Sequence, residues 1–337
     1  MRTPAFLVLW LVIAAAVFGL SVAVDNDYVF FAGYVIMQYI VLSTAWNILG
    51  GYCGYVNFGT AAFFALGAYS TVAVYNYTAD ADFFPIPIPV LMLIGGAVSG
   101  AIGFGMGYLT LRLRGAFFAI ATLALAVVLE TLVVNWDYVG GSRGAYIIRP
   151  ENIYPIGNYI RYLFLIMMLL AVAAITIARL IEHSRLGYGF ATIRDDELAA
   201  EASGVPTLRL KLIATTISGG LMGMAGAPFP YYIGFLQPDS TFGLDYAVNS
   251  IAMPLIGGTT SWIGPLVGAV LLGSLQQIAT VTISSAVNLL IVGFLLVGFV
   301  IVAPNGIVGL VRTYLQRKPE EIVGRRRVET DAPGTVP

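Results

Sequence analysis

The chain has 337 residues, of which 58% are hydrophobic and only 10% are charged, and its formal net charge is −1 at neutral pH. A soluble core cannot bury that much apolar surface, so the composition predicts an integral membrane protein. The near-neutral charge argues against a nucleic-acid partner.

Residues that commonly carry chemistry are scarce. One cysteine, Cys53, and one histidine, His183, exclude a disulfide framework and a metal site built from several Cys and His ligands. Neither Lys211 nor Lys318 lies in the Gly-Lys-Ser/Thr sequence of a phosphate-binding loop, so the chain is not expected to bind ATP in that manner. We therefore predict no catalytic residue, no metal site and no cofactor in this chain.

Apolar runs long enough to cross a bilayer core of about 30 Å follow one another along the chain. Seven are predicted in the first two thirds, at about 5–24, 28–49, 56–76, 88–109, 116–134, 160–181 and 210–228. The fourth carries small residues at a spacing of three or four, which predicts close approach by a neighbouring helix. These glycines are Gly96, Gly100, Gly103 and Gly107.

The almost uncharged stretch 243–303 is interrupted at Gly257-Gly258. It is predicted to cross three times, at about 243–257, 263–282 and 285–303. The alternative is one crossing plus a re-entrant hairpin whose backbone is shielded by protein. The predicted fold class is therefore an all-α integral membrane protein with about ten transmembrane helices.

Both ends of the chain need their own interpretation. Residues 1–24 resemble a signal peptide, but the apolar run is long enough to span, so an uncleaved helix is predicted and cleavage would leave nine helices. The transmembrane domain is predicted to cover 1–315, and the charged residues 316–337 to form a disordered cytoplasmic tail.

The distribution of Lys and Arg predicts the orientation. Basic residues concentrate at 112–114, at 179–211 and in the tail, whereas the acidic loops 25–27 and 78–82 fall on the other side. Both termini are therefore predicted to be cytoplasmic. The loop 135–161 carries three arginines on the outer side, where only its length relaxes the rule.

A charged segment at 185–205 separates two apolar runs. It is predicted to form one short amphipathic helix from about 190 to 203, on the cytoplasmic side and ended by Gly204 and Pro206. The alternative is a solvated loop or a helix lying on lipid headgroups. The segment's four carboxylates outnumber its arginines, which disfavours headgroup binding and favours a docked protein partner.

Six glycine-rich or charged motifs are spread over about residues 30–315. They are GGYCGYVNFGTAAFFALGAYS (50–70), LRLRGAFFAIATLALAVVLE (111–130), GGSRG (140–144), IRDDELAAEASGV (193–205), MPLIGGTTSWIGPLVGAVLLG (253–273) and APNGIVGL (303–310). In this order and spacing they resemble the permease subunits of branched-chain amino acid ABC importers of the LivM/LivH type. The chain departs from the family where a common Ser-Phe-Gly-His-Ala reads Asn57-Phe58-Gly59-Thr60-Ala61.

The resemblance implies a permease in the cytoplasmic (inner) membrane of a bacterium or archaeon. It implies a second homologous permease subunit, two ABC ATPase subunits that bind ATP-Mg, and a periplasmic or lipid-anchored substrate-binding protein. The implied substrates are branched-chain or related small amino acids, with urea or short amides as the alternative. An ion-coupled secondary transporter or channel is an alternative from another class, disfavoured because intramembrane charges are nearly absent.

The resemblance also identifies 185–205 as a coupling segment that sits in a groove of an ATPase subunit. The residues predicted to dock are Arg194, Asp195, Glu197, Ala200, Glu201 and Gly204. Glycine-rich breaks are candidates for the substrate pathway, because interrupted helices free backbone groups that can contact a zwitterion. The candidates are Gly54, Asn57, Phe58, Gly59, Gly257 and Gly258. Tight turns between helices are the alternative interpretation of these breaks.

Overall fold

The computed structural model describes residues 3–24, 26–80, 86–110, 112–148, 158–282, 293–294, 297–298 and 306–310. These residues form the helices α1 (Thr3–Val24), α2 (Asp27–Gly50), α3 (Thr60–Asp80), α4 (Ile88–Thr110), α5 (Ala116–Val134), α6 (Tyr159–Glu182), α7 (Arg185–Asp195), α8 (Glu197–Ala202), α9 (Thr207–Gly226), α10 (Phe229–Ile233), α11 (Pro238–Thr241), α12 (Leu244–Gly257) and α13 (Ile263–Thr282). Two-residue strands, β1 (Ala145–Tyr146) and β2 (Phe235–Leu236), pair antiparallel between these helices. The predicted all-α membrane architecture is confirmed apart from that short ladder.

Seven helical stretches in the described part of the chain are long and apolar enough to cross a membrane. They are Pro4–Val24, Asp27–Gly50, Ile88–Thr110, Ala116–Val134, Tyr159–Glu182, Thr207–Ile233 and Ile263–Thr280. The total of about ten stays a prediction, and α3, which corresponds to the predicted third run 56–76, is not among these seven stretches. The run 285–303 and the tail 316–337 lie wholly or mostly outside the described residues, and α12 has 14 residues, too few to cross alone at about 1.5 Å per residue.

Helices α3, α4 and α9 pack closely together through backbone contacts at glycines. A Cβ placed on Gly67 would collide with the backbone of Gly223, and one on Gly223 would collide with Ser99 and the carbonyl of Gly95. This approach lets the hydroxyl of Ser99 on α4 donate to the carbonyl of Phe63 on α3, at 2.9 Å. Close approach by a neighbour, predicted from the glycines of the fourth run, is therefore confirmed, and the neighbour is α9.

Helices α12 and α13 form an antiparallel hairpin. A Cβ on Gly257 would meet the backbone of Gly264, and one on Gly268 would meet the carbonyl of Met253. The hairpin fits both interpretations of 243–303, namely three crossings or a re-entrant hairpin, because most of the last predicted crossing lies outside the described residues.

The single helix predicted from about 190 to 203 is wrong, because the segment contains α7 and α8 with a break at Asp196. Asp196 has extended backbone angles, and its carboxylate accepts hydrogen bonds from the backbone N–H groups of Leu198 (2.9 Å) and Ala199 (3.1 Å). An aspartate in this position satisfies N–H groups that a helix start leaves free. The cap therefore starts a second helix in a new direction.

Candidate functional site

Segments that the sequence analysis treated separately meet at one end of the bundle. Gly54 has a φ of +79°, and a Cβ placed on it would lie 3.0–3.3 Å from Arg194. The guanidinium of Arg194 also donates to the carbonyl of Gly51, at 3.5 Å. Residues predicted to dock an ATPase and residues predicted to line a pathway are therefore direct neighbours. We call residues 51–59 the glycine-rich segment and residues 185–205 the α7–α8 segment.

The glycine-rich segment is a fixed turn between α2 and α3. The buried side chain of Asn57 accepts a hydrogen bond from the N–H of Gly59 (2.7 Å), and the carbonyl of Asn57 accepts one from the indole of Trp46 (2.9 Å). The N–H of Phe58 donates to the hydroxyl of Thr122 on α5, at 3.1 Å. Both oxygens of Asn57 thus hold the turn, which is why α3 begins at residue 60 and not at 56.

The second glycine break joins the same end of the bundle. Gly258 has a φ of +118° and follows the last residue of α12. A few residues later, the N–H of Trp262 donates to a carboxylate oxygen of Glu182 at 2.8 Å, and the hydroxyl of Tyr52 reaches the same oxygen at 3.3 Å. Glu182 at the end of α6 therefore links the two glycine breaks. A pathway role for Gly257 and Gly258 stays a prediction, as it does for the residues of the glycine-rich segment.

The strongest polar arrangement at this end is a buried ion pair between Lys211 on α9 and Glu197 on α8. The ammonium of Lys211 lies 2.6 Å from Oε1 of Glu197, and the two side chains are only 3% and 12% exposed. The hydroxyl of Tyr55 donates to Oε2 of Glu197 and accepts from Lys211 at 3.1 Å. We call these three residues the Glu197 cluster.

The protonation state of Glu197 follows from its neighbours. Burial opposes its ionisation. The hydrogen bonds from Lys211 and Tyr55, with the positive charges of Lys211 and Arg114, outweigh burial and lower the pKa of Glu197 below its ordinary value. Glu197 is therefore a carboxylate at neutral pH, the state in which both of its oxygens accept hydrogen bonds.

A second ion pair lies beside the cluster but in solvent. Arg114, just before α5, places its guanidinium 3.1 Å from the carboxylate of Glu201, and the two side chains are 49% and 43% exposed. Glu201 also accepts a hydrogen bond from the hydroxyl of Thr207 at 2.9 Å. The two acids of α8 therefore differ: Glu197 faces the bundle and Glu201 faces its surface.

The predicted docking residues divide in the same way. Asp195 is exposed, whereas Ala200 lies on the buried face of α8. Gly204 has a φ of +82°, which favours glycine, and a Cβ there would meet nothing within 4 Å. The backbone conformation of the turn after α8 therefore explains why residue 204 is a glycine. A docking role for the six predicted residues remains a prediction, with Asp195 and Glu201 the carboxylates best placed to contact a partner.

Sequence reasoning missed four residues of this site. Tyr188 and Leu198 are 72% and 64% exposed among charged neighbours, and exposed large apolar groups of this kind often anchor protein interfaces. Lys211 and Tyr55 were not selected at all. A usable signal did exist for Lys211, because a charge inside an apolar spanning run is a functional candidate by default.

Spanning helices with a polar, charged layer at one end define a multi-pass helical membrane protein. Among the residues described, no three His, Cys, Asp or Glu side chains are grouped so that they could hold a metal ion.

The family model for "branched-chain amino acid transport system / permease component" matches residues 28–300, and the chain belongs to this family. It is 28% identical to the high-affinity branched-chain amino acid transport system permease protein LivM of Salmonella typhimurium, with 86% of this chain and 72% of that protein covered. LivM of Escherichia coli is also 28% identical, over 84% of this chain and 70% of that protein.

An archaeal relative shows the same relationship. The probable branched-chain amino acid transport permease protein LivH of Methanocaldococcus jannaschii is 25% identical, over 73% of this chain and 82% of that protein. No solved structure matches the chain. The chain is thus a member of a transport permease family.

Proposed function

We propose that this chain is a permease subunit of an ATP-driven importer in a bacterial or archaeal inner membrane. With a second homologous permease subunit it forms the pathway for branched-chain or related small amino acids. Two separate ATPase subunits bind ATP-Mg, and a periplasmic or lipid-anchored protein delivers the substrate. The observation that carries the proposal is the family match over residues 28–300.

The α7–α8 segment is the proposed docking surface for an ATPase subunit, with the termini and this end of the bundle in the cytoplasm. Two observations support this assignment: the segment is the polar interruption between two spanning helices, and it exposes Tyr188 and Leu198 beside Asp195. An apolar anchor surrounded by charges combines affinity with defined orientation. ATP-driven movement of the ATPases would then switch the access of the pathway from one side to the other.

Transport in reconstituted vesicles tests the function. Proteoliposomes that hold this chain with its second permease, two ATPases and the binding protein should take up labelled leucine only when ATP and Mg²⁺ are supplied. Uptake of labelled urea in place of leucine would assign the importer to the amide class. Leucine uptake driven by an ion gradient without the ATPases would contradict the proposal.

Copurification of the ATPase subunits tests the docking surface. Leu198→Asp and Asp195→Lys should each weaken ATPase binding, by roughly tenfold for a central anchor residue. Asp137→Lys makes the same charge change in an exposed residue beyond the far end of α5 and serves as the control. Equal ATPase binding by all three variants would contradict docking at α7–α8.

A further inference from the structure

The Glu197 cluster joins the proposed ATPase-facing surface to the backbone turn that starts α3. Glu197 belongs to α8, Lys211 to α9 and Tyr55 to the glycine-rich segment, so one carboxylate contacts two other elements at once. We propose that Glu197 is a positioning residue that transmits movement of the α7–α8 segment to the glycine-rich segment, so that ATP hydrolysis is coupled to transport. This inference rests on the proposed function.

Burial makes the link rigid. Separating Lys211 from Glu197 without water would pull apart two opposite charges that are both largely buried, which is strongly unfavourable. Each oxygen of Glu197 has its own donor, so a shift of α8 cannot be absorbed by exchanging one partner for the other. Therefore α8 must either move together with Lys211 and Tyr55 or break a buried pair. An exposed pair would impose no such constraint, because water replaces its contacts at little cost.

Further contacts extend the link from the α7–α8 segment into the membrane helices. Gly54 packs tightly against Arg194: a Cβ on Gly54 would lie 3.0–3.3 Å from Arg194, and its φ of +79° favours glycine. Beyond Tyr55, the turn is hydrogen-bonded to the indole of Trp46 on α2 and to the hydroxyl of Thr122 on α5. A displacement of the glycine-rich segment is therefore passed to α2, α3 and α5 through hydrogen bonds and steric contacts.

The positions of the side chains distinguish the proposed coupling role of Glu197 from the docking of an ATPase subunit. The carboxylate of Glu197 points into the bundle, whereas the groups that face a partner are on the other side of the same two helices, at Tyr188, Asp195 and Leu198. Although the sequence prediction counted Glu197 among the docking residues, its side chain is only 12% exposed, so removing the carboxylate leaves the exposed groups of the proposed ATPase contact surface in place. Loss of transport without loss of ATPase binding is the signature that a docking residue would not produce.

The test measures leucine transported per ATP hydrolysed in the complete reconstituted importer. Glu197→Gln keeps the side-chain shape and removes the charge, and Tyr55→Phe removes one hydroxyl. Both variants should bind the ATPases and hydrolyse ATP at wild-type rates while leucine transported per ATP falls, roughly tenfold for Glu197→Gln. Arg209→Gln removes an exposed charge from α9, two positions before Lys211, and should transport as the wild type does.

The double variant Glu197→Lys/Lys211→Glu restores the ion pair in reverse and should recover part of the lost coupling. The inference is overturned if transport and hydrolysis fall in proportion, or if Glu197→Gln and Tyr55→Phe both transport normally. If Glu197→Gln does not fold, Tyr55→Phe alone decides between these outcomes. Wild-type uptake that does not need ATP would overturn the proposed function itself, whereas intact wild-type uptake with a proportional loss in the variants overturns only the coupling role.

Discussion

Helices α9 and α5 show opposite relations between composition and burial. α5 contains one charged residue, Glu130, yet only 22% of its most apolar stretch is buried, and Phe117 is 72% exposed. α9 contains Arg209, Lys211 and a run of glycines, yet 67% of the most apolar stretch within Thr207–Ile233 is buried. Apolar composition therefore does not predict burial in this bundle, because α6 is as apolar as α5 and yet 67% of its most apolar stretch is buried. Small residues, as on α9, instead allow close packing against neighbouring helices.

The largest effect is expected when the buried charge of α9 is removed. Lys211→Met leaves the carboxylate of Glu197 buried without its cation, a change that typically costs about 3–5 kcal/mol of folding stability. The lower end applies because Arg114 is still 3.7 Å from Glu197. Thermal unfolding in detergent measures the loss. The matched variant Arg209→Met should change stability by less than about 0.5 kcal/mol, and equal losses in both would show that burial does not distinguish these cations.

The next largest loss of folding stability is expected at a glycine contact between α4 and α9. Gly223→Ala places a methyl group against Ser99 and the carbonyl of Gly95, and overpacking of this kind costs about 1–3 kcal/mol. Gly105→Ala on α4 provides the comparison, because a Cβ there meets nothing within 4 Å. That variant should be stabilised by about 0.5–1 kcal/mol, as expected for alanine in a helix. Similar unfolding temperatures for the two variants would contradict the close approach of α4 and α9.

Acid should weaken the contact between α8 and α9. The pKa of Glu197 is lowered in the folded chain from its ordinary value of 4.5, so its contribution to stability is fully present above that pH. The contribution is lost as the pH falls through the lowered pKa, because the folded carboxylate then becomes protonated. Unfolding temperatures measured from neutral pH to acid should therefore converge for the wild type and Glu197→Gln. A constant difference down to strongly acid pH would exclude this linkage.

The smallest effect is expected where α5 begins. Arg114→Gln removes the exposed pair with Glu201 and the longer 3.7 Å contact with Glu197, and ion pairs of a half-exposed arginine contribute about 0–1 kcal/mol. The loss of folding stability caused by Arg114→Gln should be smaller in high salt, because ions in solution screen exposed charges. Unfolding measured at low and high salt tests both points. If Arg114→Gln lost as much folding stability as Lys211→Met, buried and exposed ion pairs at this end of the bundle would contribute equally, which would contradict the prediction.

The sequence predicted several of the spanning helices well, because a run of about 20 consecutive apolar residues is typical of a transmembrane helix. The run 116–134 coincides with α5, and the run 263–282 coincides with α13. It was a poorer guide where one polar side chain decides the backbone. Asp196 divides the charged segment by capping α8, and Asn57 delays the start of α3. Both are local signals that a helical period alone does not detect.

The Glu197 cluster could not be predicted from any local pattern. Lys211 and Tyr55 are 156 positions apart in the chain, and only the packing of α9 beside the glycine-rich segment brings them together. The contact between Gly54 and Arg194 has the same origin. Sequence motifs identified both segments as functional candidates, but their adjacency is a property of the folded bundle.

Cys53, the only cysteine of the chain, lies in the glycine-rich segment and is fully buried. Burial also raises the pKa of its thiol to about 12, so the reactive thiolate is scarce at neutral pH. Alkylating reagents should therefore modify the wild-type protein only when this segment opens. The native chain thus carries its own chemical reporter, and its modification rate with and without ATP would test the proposed movement of the turn without any added label.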